Sequence, residues 1–514
     1  MSEETHDKRL FWGCFIALIA TAFGFVIRTM LMNEWGVEFG LSETQKGELL
    51  GVGLWPFAIS IVLFSLIIDK IGYGRAMVFA FICHTSSTVL IIFANGYWML
   101  WGATFIMALG AGTVEAVINP VVATMFRNDK TKWLNILHAG WPGGMLIGGI
   151  LAVIVGKIGN VPWQFQIGLV LVPTIIYGIM LFGRKFPIHE RVEAGVSYID
   201  MLKEVGFVGA FIIVALMSKE LARVAEEFGF LFGPEWSETS KWTAVLGFTL
   251  VVAGGFGAFV KSVGRPLFVF LLLIMIPLAT TELGTDSWIT PLMEASMNAM
   301  SLPPVSVLLY TSFIMMVLRF SAGPIVEKLS PIGLLMGSAA IAAIGLYWLS
   351  LSAGFSILLA ATFYAFGKTF FWPTMLGMVA ERFPKGGALT MNTIAAVGMM
   401  SVGTVGAVFL GFTQDNNIDK QLMAYDAENK TSIHSTYVTD EKESIFGKYK
   451  GVDHESLKEA PEETQAIVAE YSENAKRGVL ATAATFPVFM FVCFAILFIY
   501  FKSQGGYKVV HIHD

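Results

Sequence analysis

The chain has 514 residues, of which 55% are hydrophobic and only 14% charged. Soluble domains carry roughly 25% charged residues, so a water-soluble globular protein is excluded and a polytopic membrane protein is indicated. The net charge of −5 comes mostly from one polar loop and points to no nucleic-acid partner. Cys14, Cys83 and Cys493 all lie in apolar segments, a placement that suggests neither a disulfide framework nor a metal cluster. No cofactor is expected.

A bilayer core needs about 20 apolar residues per helix. Taken in chain order, the first run, 10–32, is too long for a signal-peptide core and reads as an uncleaved first span. It is followed by 47–68, 76–95, 97–125, 136–156 and 163–183. A middle stretch holds 207–218, a charged extension to 232, and a strong apolar run at 242–260. The second half offers 266–290, 304–322, 332–352, 355–380, 387–411 and 478–501.

Lysine and arginine placement sets the orientation. With both termini cytoplasmic, the inside loops hold 19 Lys and Arg residues and the short outside loops hold 5. Arg184 and Lys185 then lie on the same side as Lys261 and Arg265, so an even number of spans separates them. This reading gives fourteen spans in a cell membrane. Its alternative is twelve, with the middle segments on the surface, because Lys219, Glu220, Arg223, Glu226 and Glu227 form an amphipathic stretch. The expected units are an N-terminal six-helix bundle at 1–190, a central linker at 191–265 with two extra helices, and a C-terminal six-helix bundle at 266–514. The outer loop 413–477, with 14 acidic and 8 basic residues, reads as a solvated or small folded excursion. Pro461-Glu462-Glu463 opens a helical pattern leading into the last span.

Two charges interrupt otherwise apolar spans. Glu115 is followed five residues on by Pro120, and Lys368 five residues on by Pro373. An ionised group near the bilayer centre costs at least about 2.5–3.5 kcal/mol, so both are expected to line a polar cavity. The two halves also echo each other. Ser65-Leu-Ile-Ile-Asp69-Lys70 ends the second span, and Gly323-Pro-Ile-Val-Glu327-Lys328 ends its counterpart 258 residues on. A duplicated carrier with a midplane site is the arrangement that fits.

The run Asp69-Lys70-Ile-Gly72-Tyr-Gly74-Arg75 resembles the loop motif of the major facilitator superfamily. Gly110-Ala-Gly112-Thr-Val-Glu115-Ala-Val-Ile-Asn119-Pro120, followed by Asn135-Ile-Leu-His138-Ala-Gly140-Trp141-Pro142, resembles the fucose:proton symporter and sugar-permease group. The resemblance implies an all-α fold of two pseudo-symmetric six-helix bundles and alternating access. It also implies proton-coupled symport of a sugar-like solute, with Glu115 as the protonatable group. Where that group has a first-span acid, this chain has Arg28.

The residues themselves suggest further roles. Arg28 would partner Glu115 or an acidic substrate. Asn119 shares a helix face with Glu115. Glu282, Lys368 with Trp372 as an aromatic platform, Asn135, His138, Trp141 and Asn392 are candidate substrate contacts. Asp69, Lys70, Arg75, Arg319, Glu327 and Lys328 are candidates for a conformational latch. An organic-anion or sugar-acid transporter is the alternative, because Arg28 and Lys368 would both face the cavity. A membrane sensor on the same scaffold is a further one. The expected partners are a small solute, protons and the bilayer, with the protein acting as a monomer.

Overall fold

The computed structural model describes residues 7–41, 43–158, 161–233, 235–444 and 446–512. It is built almost wholly of helices: α1 Lys8–Glu38, α2 Gln45–Ile71, α3 Tyr73–Ile92, α4 Tyr97–Met125, α5 Lys130–Lys157 and α6 Trp163–Leu181. Two middle helices follow, α7 Tyr198–Glu227 and α8 Glu238–Val260. The second half contains α9 Pro266–Thr290, α10 Ser306–Phe320, α11 Pro331–Leu351, α12 Ser356–Lys368, α13 Phe371–Arg382, α14 Pro384–Asn429 and α15 Glu462–Ser503. Satisfying every backbone group within the segment is what makes helices the spanning element in hydrocarbon.

Among the described residues, twelve helices are long and apolar enough to cross a membrane. They number thirteen if α10 is joined to Ala322–Lys328, from which it bends by 62°. Fourteen spans were the expectation. The remaining expected span, 355–380, is divided into α12 and α13, neither of which is long enough alone.

Burial sorts the helices. In α4, 83% of the membrane window is buried, whereas in α8 only 17% is. A helix apolar on every side is stable when lipid covers most of it, so α8 is peripheral. Its partner α7 packs inward against α14, α9 and α2. The helical path of α7 breaks at Gly206, which has φ +59°. There the backbone pairs with the α8–α9 connection, Phe207 N donating to Ser262 O at 2.9 Å and Val208 N to Val263 O at 3.0 Å. A Cβ on Gly206 would lie 2.1 Å from the Gly264 nitrogen, so this crossing requires glycine. Between α4 and α2, a Cβ on Gly112 would lie 2.1 Å from Phe57 O; small residues let such backbones touch.

The polar loop is folded. α14 runs on to Asn429 and α15 starts at Glu462, and between them lie Ile433–Tyr437, the antiparallel pair β1 Asp440–Ser444 and β2 Gly447–Gly451, and His454–Lys458. Ile418, Leu422, Ile433, Val438, Val452, Val468 and Ala475 form its own small core. This unit marks one end of the molecule, the loop end. The chain termini mark the other.

At the terminal end the two halves are in contact. Thr131 Oγ1 donates to Glu381 Oε1 at 2.5 Å, Lys130 Nζ to Ala380 O at 3.2 Å, and Lys132 pairs with Glu327 at 3.1 Å. His189 lies in this closed region, its Nδ1 accepting from Arg191 N at 3.1 Å. Burial, reinforced by Lys130, Arg191 and Arg127, pushes its imidazole down to about 3. When the end opens and His189 hydrates, its affinity for protons returns towards the ordinary value near 6.5. The opened state therefore binds more protons between these values, and acid disfavours closure as pH falls through that window. From pH 7 to 5 the closed state should lose at most about 2 kcal/mol at this residue, because the neighbouring cations of its own half stay near it. His189→Asn, which keeps an acceptor for Arg191 N, should remove that slope. Crosslinking of cysteines placed across the terminal end, measured at both pH values, tests this; an identical slope in the variant would refute it.

Candidate functional site

The two charge–proline motifs share one physical consequence. Proline has no N–H, so the carbonyl four residues before it loses its helical partner. Before Pro120 that carbonyl is Ala116 O, and Asn392 Nδ2, from α14 in the other half, donates to it at 3.1 Å. Before Pro373 it is Thr369 O, and Arg319 Nε, from α10, donates to it at 2.7 Å. Each proline thus creates a buried acceptor that a side chain from another helix must satisfy.

A buried polar chain links these points. Asn119 Nδ2 donates to Glu115 Oε2 at 2.6 Å, and Asn119 Oδ1 lies 2.9 Å from His138 Nε2. The His138 carbonyl accepts from Arg319 Nη1 at 2.9 Å. Arg319 Nη2 donates to Glu282 Oε1 at 2.6 Å, and the other Glu282 oxygen accepts from Trp372 N at 3.1 Å. That last donor is at the start of α13. The break at Thr369 and Phe370 exposes a helix N-terminus inside the protein, where its free N–H groups and dipole favour an anion. Glu282 itself sits in a π-helical stretch of α9, Thr280–Gly284. One turn on, Asp286 is ion-paired with Lys368, whose ammonium also lies 4.7 Å from the Tyr364 ring.

The arrangement corrects several expectations. Lys368 is fully buried and paired with Asp286, so its charge is already matched by a carboxylate of α9. Trp372 is packed in the core, its ring so close to Gly398 that a Cβ there would lie 2.7 Å from Cζ3, and is no open platform. Arg319 belongs to the central network and not to a latch at the terminal end. Arg28 has no ion pair with Glu115; among the described residues it has no carboxylate partner. Asn119, His138 and Glu282 do come together with Glu115 in one chain of contacts. Asn135 turns instead to Thr374 Oγ1 at 3.2 Å, and Trp141 packs on Phe25 with centroids 5.6 Å apart.

The latch candidates divide as well. Asp69 is ion-paired with Arg191, and Lys70 lies 5.9 Å from the Tyr198 ring. Glu327 reaches Lys132 across the halves, but that carboxylate is largely exposed, and such pairs are worth about 0–1 kcal/mol. Arg75 and Lys328 are exposed and have no ion pair among the described residues.

A cavity of about 380 Å³ lies on the loop-end side of this network. Its wall includes Arg28, Trp55, Trp288, Met399 and Met400. Arg28 is only 3% exposed, and its Nε has no hydrogen-bond partner. Its guanidinium lies against Gly53, where a Cβ would come within 2.0 Å of Nη2. Sequence reasoning singled out Arg28 but missed Trp288, Glu48 and the contribution of α7. Nothing in their local patterns marks them as cavity residues.

A family model of the Major Facilitator Superfamily matches residues 13–408. The chain belongs to that superfamily. Its fold is similar to the E. coli fucose:proton symporter, with TM-score 0.53 and 13% identity over 92% of this chain and 98% of that one. It is also similar to a human organic anion transporter, with TM-score 0.56 and 11% identity over 95% and 99%. Identities this low speak to fold alone. In sequence, the chain is 24% identical over 170 residues to a gentisate transporter of Corynebacterium glutamicum. It is 25% identical over 186 residues to a probable 4-methylmuconolactone transporter of Cupriavidus pinatubonensis. These matches cover 33% and 35% of this chain, and the chain spans 37% and 42% of the length of these relatives.

Proposed function

We propose that this superfamily transporter moves a small organic anion by alternating access, with a proton carried at Glu115. The observation that supports it is Arg28, a buried guanidinium with no carboxylate partner among the described residues, at the wall of an apolar, tryptophan-lined cavity. A buried charge normally has a partner, and a carboxylate on the substrate would supply one in forked geometry. The relatives named for gentisate and 4-methylmuconolactone transport point to the same substrate class. A second reading, sugar symport, draws on Trp55 and Trp288, whose rings suit the apolar face of a sugar.

In this proposal the units 1–190 and 266–514 rock about the central network, and 191–265 contributes two added spans. The lysine and arginine bias makes the terminal end cytoplasmic, so the present state faces outward. α12 and α13 together would form one broken span, completing fourteen. Proteoliposome uptake of neutral sugars, uronates and aromatic carboxylates under an imposed pH gradient tests the substrate class. Carboxylates should accumulate, whereas accumulation of neutral sugars alone would overturn the anion reading. Glu115→Gln should abolish gradient-driven accumulation while counterflow exchange persists. Accumulation in that variant matching the unsubstituted protein would remove Glu115 from the coupling step.

A further inference from the structure

The helix α7, from the middle pair, forms part of the cavity wall. It contributes Lys219, Glu220 and Arg223 beside Arg28 of α1 and Glu48 of α2. Their charges separate into two groups. Arg223 is ion-paired with Glu48, with Glu220 at 2.7 Å and with Glu227 at 3.1 Å. Glu48, Glu220 and Glu227 all turn their carboxylates to this one arginine. Lys219 stands apart: its ammonium donates to the Thr404 carbonyl at 2.7 Å and forms no ion pair among the described residues. An ammonium has three donors, so this single neutral contact leaves donors for a further acceptor. Arg28 and Lys219 are therefore two cations at one cavity without an ion pair among the described residues.

We infer that Lys219 is a second anion contact of this cavity, so that the preferred substrate carries two anionic groups on a compact apolar body. This inference rests on the organic-anion reading. Arg28 takes one carboxylate and Lys219 the other, while Trp55, Trp288 and the methionines cover the apolar part between them. The middle helices then have a role in specificity: α7 supplies the charge that separates dianions from monoanions.

The test uses the purified full-length protein in detergent, titrated with benzoate and with the benzene-1,3- and benzene-1,4-dicarboxylates, binding being read by calorimetry. A charge-assisted contact away from bulk water should give at least about a tenfold preference for one of the dicarboxylates over benzoate. Lys219→Gln should lose that preference, with dicarboxylate affinity falling about tenfold and benzoate affinity unchanged within about twofold. Lys219→Arg, which keeps the charge, should retain the preference and guards against loss through misfolding. Equal weakening of all probes in Lys219→Gln, or no change in any, would overturn the role of Lys219. Failure of the unsubstituted protein to bind any of the three anions would overturn the anion reading itself.

Discussion

Replacing Arg28 by glutamine is expected to weaken anion binding by about 10²- to 10³-fold while leaving the fold intact. The two halves of this expectation have the same cause. Truncating one member of a desolvated charge–carboxylate contact costs about 2–5 kcal/mol of binding, which at 1.4 kcal/mol per decade is about 30- to 4,000-fold, a range centred on the stated loss. Among the described residues Arg28 has no carboxylate partner, so the substitution breaks no ion pair there. It also removes a buried, unpaired charge, and thermal stability in detergent should be equal or higher. Arg28→Lys keeps the charge without the planar fork and should lie between. Calorimetric titration with an aromatic carboxylate, alongside a melting curve, measures both. Binding equal to that of the unsubstituted protein would rule out Arg28 as an anion contact. A large drop in melting temperature would instead assign it a structural role.

The second large effect concerns Arg319. Its three nitrogens join Glu282 on α9, the Thr369 carbonyl between α12 and α13, and the His138 carbonyl in the other half. Arg319→Met leaves Glu282 as an uncompensated buried charge, and breaking such a pair costs about 3–5 kcal/mol. It also orphans the Thr369 carbonyl, which Pro373 cannot serve. The single variant should therefore express poorly and melt far below the parent protein. Glu282→Leu combined with Arg319→Met removes both charges together, and apolar replacement of a whole pair is often neutral or stabilising. The double variant should regain most of the lost melting temperature but remain inactive in uptake. If the double variant melts no higher than the single one, the pair is not what the single substitution breaks.

These two residues illustrate what could be read early. Arg28 stood out as a cation deep in an apolar run, whereas Arg319 was legible only as a latch candidate at a span end. What each of them faces was not legible. Arg319, near the end of its apolar run, looked like a cytoplasmic latch, because hydropathy gives depth only to within about a turn. Lys368 looked free because Asp286, its partner, lies 82 residues away on α9. Pro120 and Pro373 were legible as helix irregularities. That each leaves one carbonyl unpaired also follows from the chain alone; that Asn392 and Arg319 fill those acceptors does not.

Composition, apolar run length and the echo between the halves were enough to determine a two-bundle membrane carrier. Each depends on local chemistry: the cost of hydrating apolar segments and the need to satisfy backbone groups within a helix. The pairing of charges belonged to the tertiary structure. Ion pairs in a helical bundle join residues far apart in sequence, and a rotation of one helix by a residue changes which partner a side chain meets. Only the packed bundle showed Glu115 tied to Asn119 and His138, Lys368 already neutralised by Asp286, and Arg28 left with its charge facing a cavity.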